Sequence, residues 1–286
     1  MYPRNFEYYR AKSVQDAIDY MDRFSEARII AGGQSLMPML KLRIASPEIL
    51  VDIGRIPELT KISVEGDSVR IGAMVRHKEI VENKIIMEKI PILSATAEHI
   101  ADIQIRNRGT IGGSICEADP SADYLPTLFI LNAELRLQSK SGERKLKIED
   151  FILGAFETSI EPGEILTEII ITSNRSNYRV EKYARRSADF AVASIAALCK
   201  LAKDGSVDEL RVAVGAQDGI PLRFRQIEKD LKGVKPDREV IMESVSKAGE
   251  LLSPIDDTHG SSEYRAYVTL RMMEKKLSEL LLTGGE

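Results

Sequence analysis

Two short segments, Ala31-Gly32-Gly33-Gln34-Ser35 and Thr110-Ile111-Gly112-Gly113-Ser114, each set two glycines beside a hydroxyl residue among small neighbours. A chain carrying them either turns tightly at both places or lets backbone approach something bulky and charged. A diphosphate, with about two negative charges, is one such object. Without a metal or many Lys and Arg side chains it must be held by backbone N–H groups and hydroxyls. Glycine serves both needs: it lacks a blocking Cβ, and it reaches the positive φ that turns successive N–H groups toward one point. The first segment follows the β-branched run 28–31 and precedes a helix start at Ser35, whose dipole favours an anion there. Neither segment continues into Gly-Lys-Ser/Thr, and neither matches G-x-G-x-x-G, so P-loop and Rossmann sites are disfavoured. Each segment alone is compatible with a plain tight turn. Two of them 80 residues apart can close on one ligand from two sides.

The rest of the chain supplies a frame for such a closure. Ser13 and Asp16 fit a capping box ahead of a helix bearing Val14, Ala17, Ile18 and Met21 on one face. Short strands are expected at 28–31 and 49–53, and a hairpin at 61–64 and 69–73 across Glu65-Gly66-Asp67-Ser68. Residues 77–103 have helical periodicity broken near Pro91, and a helix is expected through 127–131. Residues 133–138 pair with 145–148 across Ser141-Gly142, and 164–172 is a further strand. The polar run Ser173-Asn174-Arg175-Ser176-Asn177 marks the expected domain boundary. Beyond it, 193–202 and 207–215 form a hairpin over Asp204-Gly205. A helix follows Pro236, and a long one starts near Ser262 with Ala266, Leu270, Met273, Leu277 and Leu281 as its core stripe. The expected domains are 1–173, in two parts of about 1–55 and 56–173, and 177–286.

Composition removes several function classes. Forty Lys and Arg against 44 Asp and Glu give a net charge of −4, so no broad basic field exists for nucleic acid. Two cysteines, Cys116 and Cys199, cannot build a disulfide framework or bind an ordinary iron–sulfur cluster. His77, His99 and His259 are scattered, with no zinc spacing, and no metal site is expected. Asp119 and Asp123, at i and i+4, make a poor metal pair beside Pro120, and Asp119 fits a turn or cap role better. Cys116 reads as a small, partly buried filler and Cys199 as core. Redox chemistry here would need a bound organic cofactor. No run approaches the roughly 20 apolar residues of a membrane span. The start MYPRNFEYYRAKS has no apolar h-region, so the cytoplasm is the expected compartment.

Three motifs in order, AGGQSLMPMLKLR, IRNRGTIGGSICEADPSADYLP and EKYARRSADFA, together with the terminal GSSEYRAYVTLRMM, carry a resemblance across nearly the whole chain. It resembles the flavin-binding medium subunit of the molybdenum hydroxylases. That family includes medium subunits of aerobic carbon monoxide dehydrogenase and archaeal glyceraldehyde oxidoreductase, and the FAD domain of xanthine dehydrogenase. The resemblance implies an α+β architecture: an FAD-binding fold of the vanillyl-alcohol oxidase type, followed by a smaller α/β C-terminal domain. It implies that Ala31, Gly32, Gly33, Gln34 and Ser35, with Thr110, Ile111, Gly112, Gly113 and Ser114, clamp the FAD pyrophosphate. Asp123 would meet hydroxyls of the FAD chain. Lys182 would stand near the flavin pyrimidine edge, where positive charge stabilises the reduced anion. Phe190 stands where some relatives have Tyr, so it can cover a ring face but cannot hydrogen-bond. Leu166 would touch the ring through its backbone, and Arg185 and Arg186 also fit a solvated charge run. No residue of this chain is expected to be catalytic.

The implied function is an oxidoreductase's electron-transfer subunit. It would take electrons from [2Fe–2S] clusters of a small subunit, while a molybdopterin large subunit oxidises an aldehyde, CO or N-heterocycle. Two heterotrimers would form a heterohexamer. A stand-alone flavin oxidoreductase of the same fold and a non-catalytic nucleotide-binding scaffold are the competing expectations.

Overall fold

The computed structural model describes residues 2–282 and holds three main sheets. The first is parallel. Strands β1 (Glu7–Arg10), β2 (Ala27–Ile30) and β3 (Ile49–Asp52) lie in the order β1-β3-β2, with α1 (Val14–Arg23) and α2 (Leu36–Leu42) in the connections. Val14, Ala17 and Ile18 of α1 are buried against Ala27, Val51 and Ile53, so the amphipathic face was legible. The capping box is half closed. Ser13 Oγ accepts from the Asp16 N–H at 3.1 Å, but the Asp16 carboxylate instead takes the Lys12 N–H and the Tyr9 hydroxyl.

After a 3-10 turn at Pro57–Thr60 come β4 (Ile62–Glu65) and β5 (Ser68–Gly72), then six short helices. These are α3 (His77–Glu82), α4 (Lys84–Lys89), α5 (Pro91–Glu98), α6 (Ile103–Arg106), α7 (Ile111–Glu117) and α8 (Tyr124–Ile130). Strands β6 (Glu134–Ser139) and β7 (Gly142–Lys147) form the expected hairpin. The turn of helix α9 (Ile148–Phe151), the small hairpin β8 (Ile152–Gly154) with β9 (Glu157–Thr158), and β10 (Ile165–Thr172) follow. The second sheet is antiparallel, ordered β4-β5-β10-β6-β7. The helical region breaks at Asn83 as well as at Pro91, because Asn83 Oδ1 caps the Ile85 and Ile86 amides and starts a new helix. The second glycine segment lies inside α7, not at a strand end.

The third sheet is antiparallel, ordered β11-β12-β13-β14: β11 (Asn177–Tyr183), β12 (Ala193–Leu201), β13 (Val207–Gly215) and β14 (Leu222–Arg223). Helices α10 (Arg225–Asp230), α11 (Arg238–Gly249) and α12 (Ser262–Leu281) complete it. The two-residue side-chain period of β12 divides between two cores. Ala196 and Leu198, with Ala213 of β13, join the core of the second sheet. Ile195, Ala197 and Cys199 pack with Val212, Val214, Met273 and Leu277 on the other side. Both faces are therefore covered, by α8 and by α12. Strand β11 escaped the sequence reading because NYRVEKY mixes charge and aromatics on a half-exposed sheet edge. The buried stripe of α12 is also turned from expectation. Arg265 and Thr269, not Ala266 and Leu270, are its buried residues in the first turns. No described helix is long and apolar enough to cross a membrane.

Candidate functional site

The two glycine segments touch. A Cβ on Gly32 would strike the Arg108 carbonyl and, at 2.7 Å, Gly109 Cα. A Cβ on Gly113 would stand 3.6 Å from the Ala31 Cβ and 2.9 Å from Thr110 Oγ1, so its open side faces the first turn. The first three-stranded unit and the helical region of the second thus meet along these residues.

They meet for different reasons. Of the four glycines only Gly33 has positive φ, at 71°. In the first turn the N–H groups of Gly32, Gly33, Gln34 and Ser35 donate to nothing among the described residues. The turn is shaped from within by the Gln34 side-chain Nε2, which donates to the Gly32 carbonyl at 3.1 Å, and by the Met37 N–H on the Gly33 carbonyl. Four unpaired donors on consecutive residues form an acceptor-seeking surface. In the second segment every early amide is taken. The Ile111 N–H donates to Val75, the Gly112 N–H to Ala73, the Gly113 N–H to Thr110 Oγ1 at 3.1 Å, and the Ser114 N–H to the Thr110 carbonyl. Gly112 is a packing glycine, since a Cβ there would meet the Ala73 Cβ at 2.5 Å. The expectation that both segments offer backbone amides to a ligand therefore fails for the second, whose early amides are all bonded within the fold. What the second can offer are side chains: the Ser114 hydroxyl and, beyond α7, Asp123.

Beneath the second turn lies His77, which sequence reasoning left aside. It is buried, its N–H donates to the Gly109 carbonyl, and its Nδ1 pairs with the Tyr124 hydroxyl at 3.2 Å. Burial, helped by Arg106, pushes its pKa down to about 4, so it is a neutral prop. Gly109 is required there because a Cβ would reach His77 Nε2 at 2.6 Å. The cue in the sequence was a histidine at a helix start, too common to interpret alone.

Asp123 and Lys182, to which the resemblance gives separate duties, are partners. Lys182 Nζ donates to Asp123 Oδ2 at 3.0 Å and to the His99 carbonyl at 3.0 Å. The two side chains are 6% and 10% exposed, and the pair ties β11 to the start of α8. Burial raises the Asp123 carboxyl to about 6, with Lys182 pulling the other way. Burial and Lys182 both lower His99. Asp123 Oδ1 is buried with no hydrogen-bond partner. A carboxylate oxygen in that state is costly, and a ligand hydroxyl would satisfy it. Lys182 is held as a buried, neutralised cation, not a free one.

Leu166 is buried on β10 at the bulge before Glu168, and one step on, the Thr167 carbonyl accepts from Ala73 N–H, whose own carbonyl accepts from Gly112 N–H. That chain of bonds links Leu166 to the second glycine segment. Phe190 is 56% exposed on the connection between β11 and β12. Asp119 caps its own turn through the Ser121 N–H, and Cys116 is a packed thiol pushed up to about 12 by burial. No group of three or more His, Cys, Asp or Glu that could hold a metal exists among the described residues.

The residues present fit an extended cofactor with a diphosphate and hydroxyls: unpaired amides for anionic oxygens and an orphaned carboxylate oxygen for a hydroxyl. Comparison with known proteins points the same way. Residues 4–173 match the family described as FAD binding domain in molybdopterin dehydrogenase, and residues 178–280 match the CO dehydrogenase flavoprotein C-terminal domain. The chain is 38% identical over 283 residues to the glyceraldehyde dehydrogenase medium chain of Sulfolobus acidocaldarius, covering 98% of this chain and 100% of that one. A solved carbon monoxide dehydrogenase chain from Hydrogenophaga pseudoflava superposes with a TM-score of 0.95 at 34% identity, covering 99% of each. Quinoline 2-oxidoreductase from Pseudomonas putida 86 gives 0.96 at 30% identity over the whole of both chains.

Proposed function

Because this chain belongs to the flavin-binding medium-subunit family of the molybdenum hydroxylases, we propose that it is the FAD-containing electron-transfer subunit of a three-component oxidoreductase complex. The carrying observation is the first turn, which leaves four amides unpaired and whose Gly32 packs on Arg108 and Gly109 while Gly113 faces its Ala31. On this reading Gly32, Gly33, Gln34 and Ser35 take the diphosphate oxygens. Gly113, facing Ala31, leaves room for them, and the Ser114 hydroxyl adds a donor. Asp123 Oδ1 takes a hydroxyl of the cofactor chain, and Lys182 fixes Asp123 while keeping positive charge near the ring. Leu166 lines the site through β10, and Phe190 covers a ring face. When bound, FAD supplies a carrier that links one-electron partners to a two-electron acceptor.

The partners are an iron–sulfur small subunit and a molybdopterin large subunit, assembled as two heterotrimers. Relatives named for glyceraldehyde, carbon monoxide and caffeine dehydrogenation support an aldehyde, CO or an N-heterocycle as the substrate of the complex. The oxidising centre would be on the large subunit, so no residue of this chain chooses among them. The cytoplasm is the proposed compartment, in keeping with two free cysteines.

The test is purification of the chain with its native partners and, separately, alone with FAD. The complex should contain molybdenum and iron and reduce a dye with one of these substrates; the lone chain should not. Robust turnover by the lone, metal-free chain would promote a stand-alone flavin oxidoreductase instead.

A further inference from the structure

Strands β11 and β12 are joined by an excursion over residues 184–191, closed at its neck where the Val192 N–H donates to the Tyr183 carbonyl at 2.8 Å. Inside it, the Asp189 N–H donates to the Arg186 carbonyl at 3.0 Å. So short an internal bond does not define the shape of eight residues. The excursion is instead held from outside, and its ties converge on residues 257–265. Arg185 Nη1 donates to the Thr258 carbonyl at 3.4 Å, and the Tyr183 and Tyr264 hydroxyls pair at 2.8 Å. The strongest tie is Arg265 on α12. Its Nη1 donates to the Ala191 and Val192 carbonyls at 3.3 and 2.9 Å, and its Nη2 to Asp257 Oδ2 at 2.6 Å.

Among the described residues Arg265 is the largest fully buried side chain, 1% exposed, and its Nε finds no partner. Burying a guanidinium with one donor unsatisfied is a poor way to stabilise a fold, because an apolar side chain of similar volume does as well or better. What the guanidinium adds is direction: a rigid fork whose Nη1 takes two adjacent carbonyls while its Nη2 is fixed on Asp257. Those carbonyls belong to the two residues after Phe190. Asp257 is in turn pinned by the His259 and Gly260 N–H groups at 2.8 and 3.2 Å.

We propose that Arg265, set by Asp257, is a positioning residue that holds the 184–191 excursion and so fixes how Phe190 lies over the cofactor. This rests on the reading of Phe190 as a cover for the flavin ring. The clamp sets how closed that cover is, and with it the access of a small external acceptor.

The experiment uses the full chain. In the flavin-free protein, R265K keeps the charge and the Asp257 pair but loses the fork. Hydrogen exchange of the Val192 amide should rise at least tenfold, equal to about 1.4 kcal/mol, with β12 amides unchanged. In the FAD-loaded protein, R265K and F190A should each raise flavin emission and speed reoxidation by a small dye, and the double variant should add nothing further. D257N should move all three readouts the same way by less, and it decides the matter if R265K does not fold. Unchanged Val192 exchange in a folded variant overturns the clamp. Raised exchange with unmoved flavin signals, or additive effects of R265K and F190A, overturns its role at the cofactor. Failure of the wild-type chain to take up FAD would overturn the site reading instead, and the exchange result would still judge the clamp.

Discussion

The two Gly-Gly segments look alike in sequence and do opposite things in space. In the first, Gly33 takes a left-handed turn and four successive amides are left without acceptors. In the second, no glycine has positive φ, every early amide is bonded, and Gly112 is there so that α7 can lie on Ala73. One is a surface that wants an acceptor; the other is a hinge of close packing that delivers Gly113 to the first. A doubled glycine thus marks close approach of backbone, and whether it approaches a ligand or another segment is decided by hydrogen bonds formed far away in sequence.

The sharpest way to break this contrast is Gly113→Asp. Its carboxylate would enter the gap facing Ala31 and take the free amides of the first turn itself. FAD affinity should fall about a thousandfold, near 4 kcal/mol, in a chain that still folds. Near-normal affinity in titrations of the folded variant would reject the shared site. Gly112→Val should act on folding: two methyl groups against Ala73 cost about 3 kcal/mol, read from denaturant midpoints. A variant as stable as wild type would mean the packing role is misassigned.

If the second region binds through side chains, Asp123 should carry a pH signature. Its carboxyl is raised from an ordinary 3.8 to about 6 by burial. The folded flavin-free chain therefore holds a proton there that the unfolded chain has released. The stability this gives is full below pH 4 and is lost as pH rises through 6, about 3 kcal/mol in all. Melting temperatures of wild type and Asp123→Asn should diverge over that window, with wild type losing ground as pH rises; parallel curves would contradict the assignment. The smallest effect belongs to the first turn. Gly33→Ala places a Cβ at φ 71°, 3.3 Å from Met37 Cγ, and should cost about 1 kcal/mol by thermal melts. A neutral outcome there would show that the turn relaxes freely.

Local pattern carried much of this fold. The face of α1, the hairpins β6–β7 and β12–β13 and the burial of Cys199 follow from periodicity and turn residues alone. Partnership between distant residues did not. Nothing in the spacing of Asp123 and Lys182 says that they bond to each other. Nor does a helix wheel foretell that Arg265 takes a core position usually filled by Leu, because its compensation comes from Ala191, Val192 and Asp257. The helix through Ile111–Glu117 was hidden by glycines whose low helix propensity is overridden by Thr110 capping and by packing on Ala73.

The double-sided burial of β12 has a consequence for inheritance. Since Ala196 and Leu198 belong to one core and Ile195, Ala197 and Cys199 to another, the strand is a party wall. A gene fragment exchanged at residues 173–178 between relatives would bring a new wall to an old room. Chimaeras should therefore survive only where the imported strand matches the volume that α8 presents.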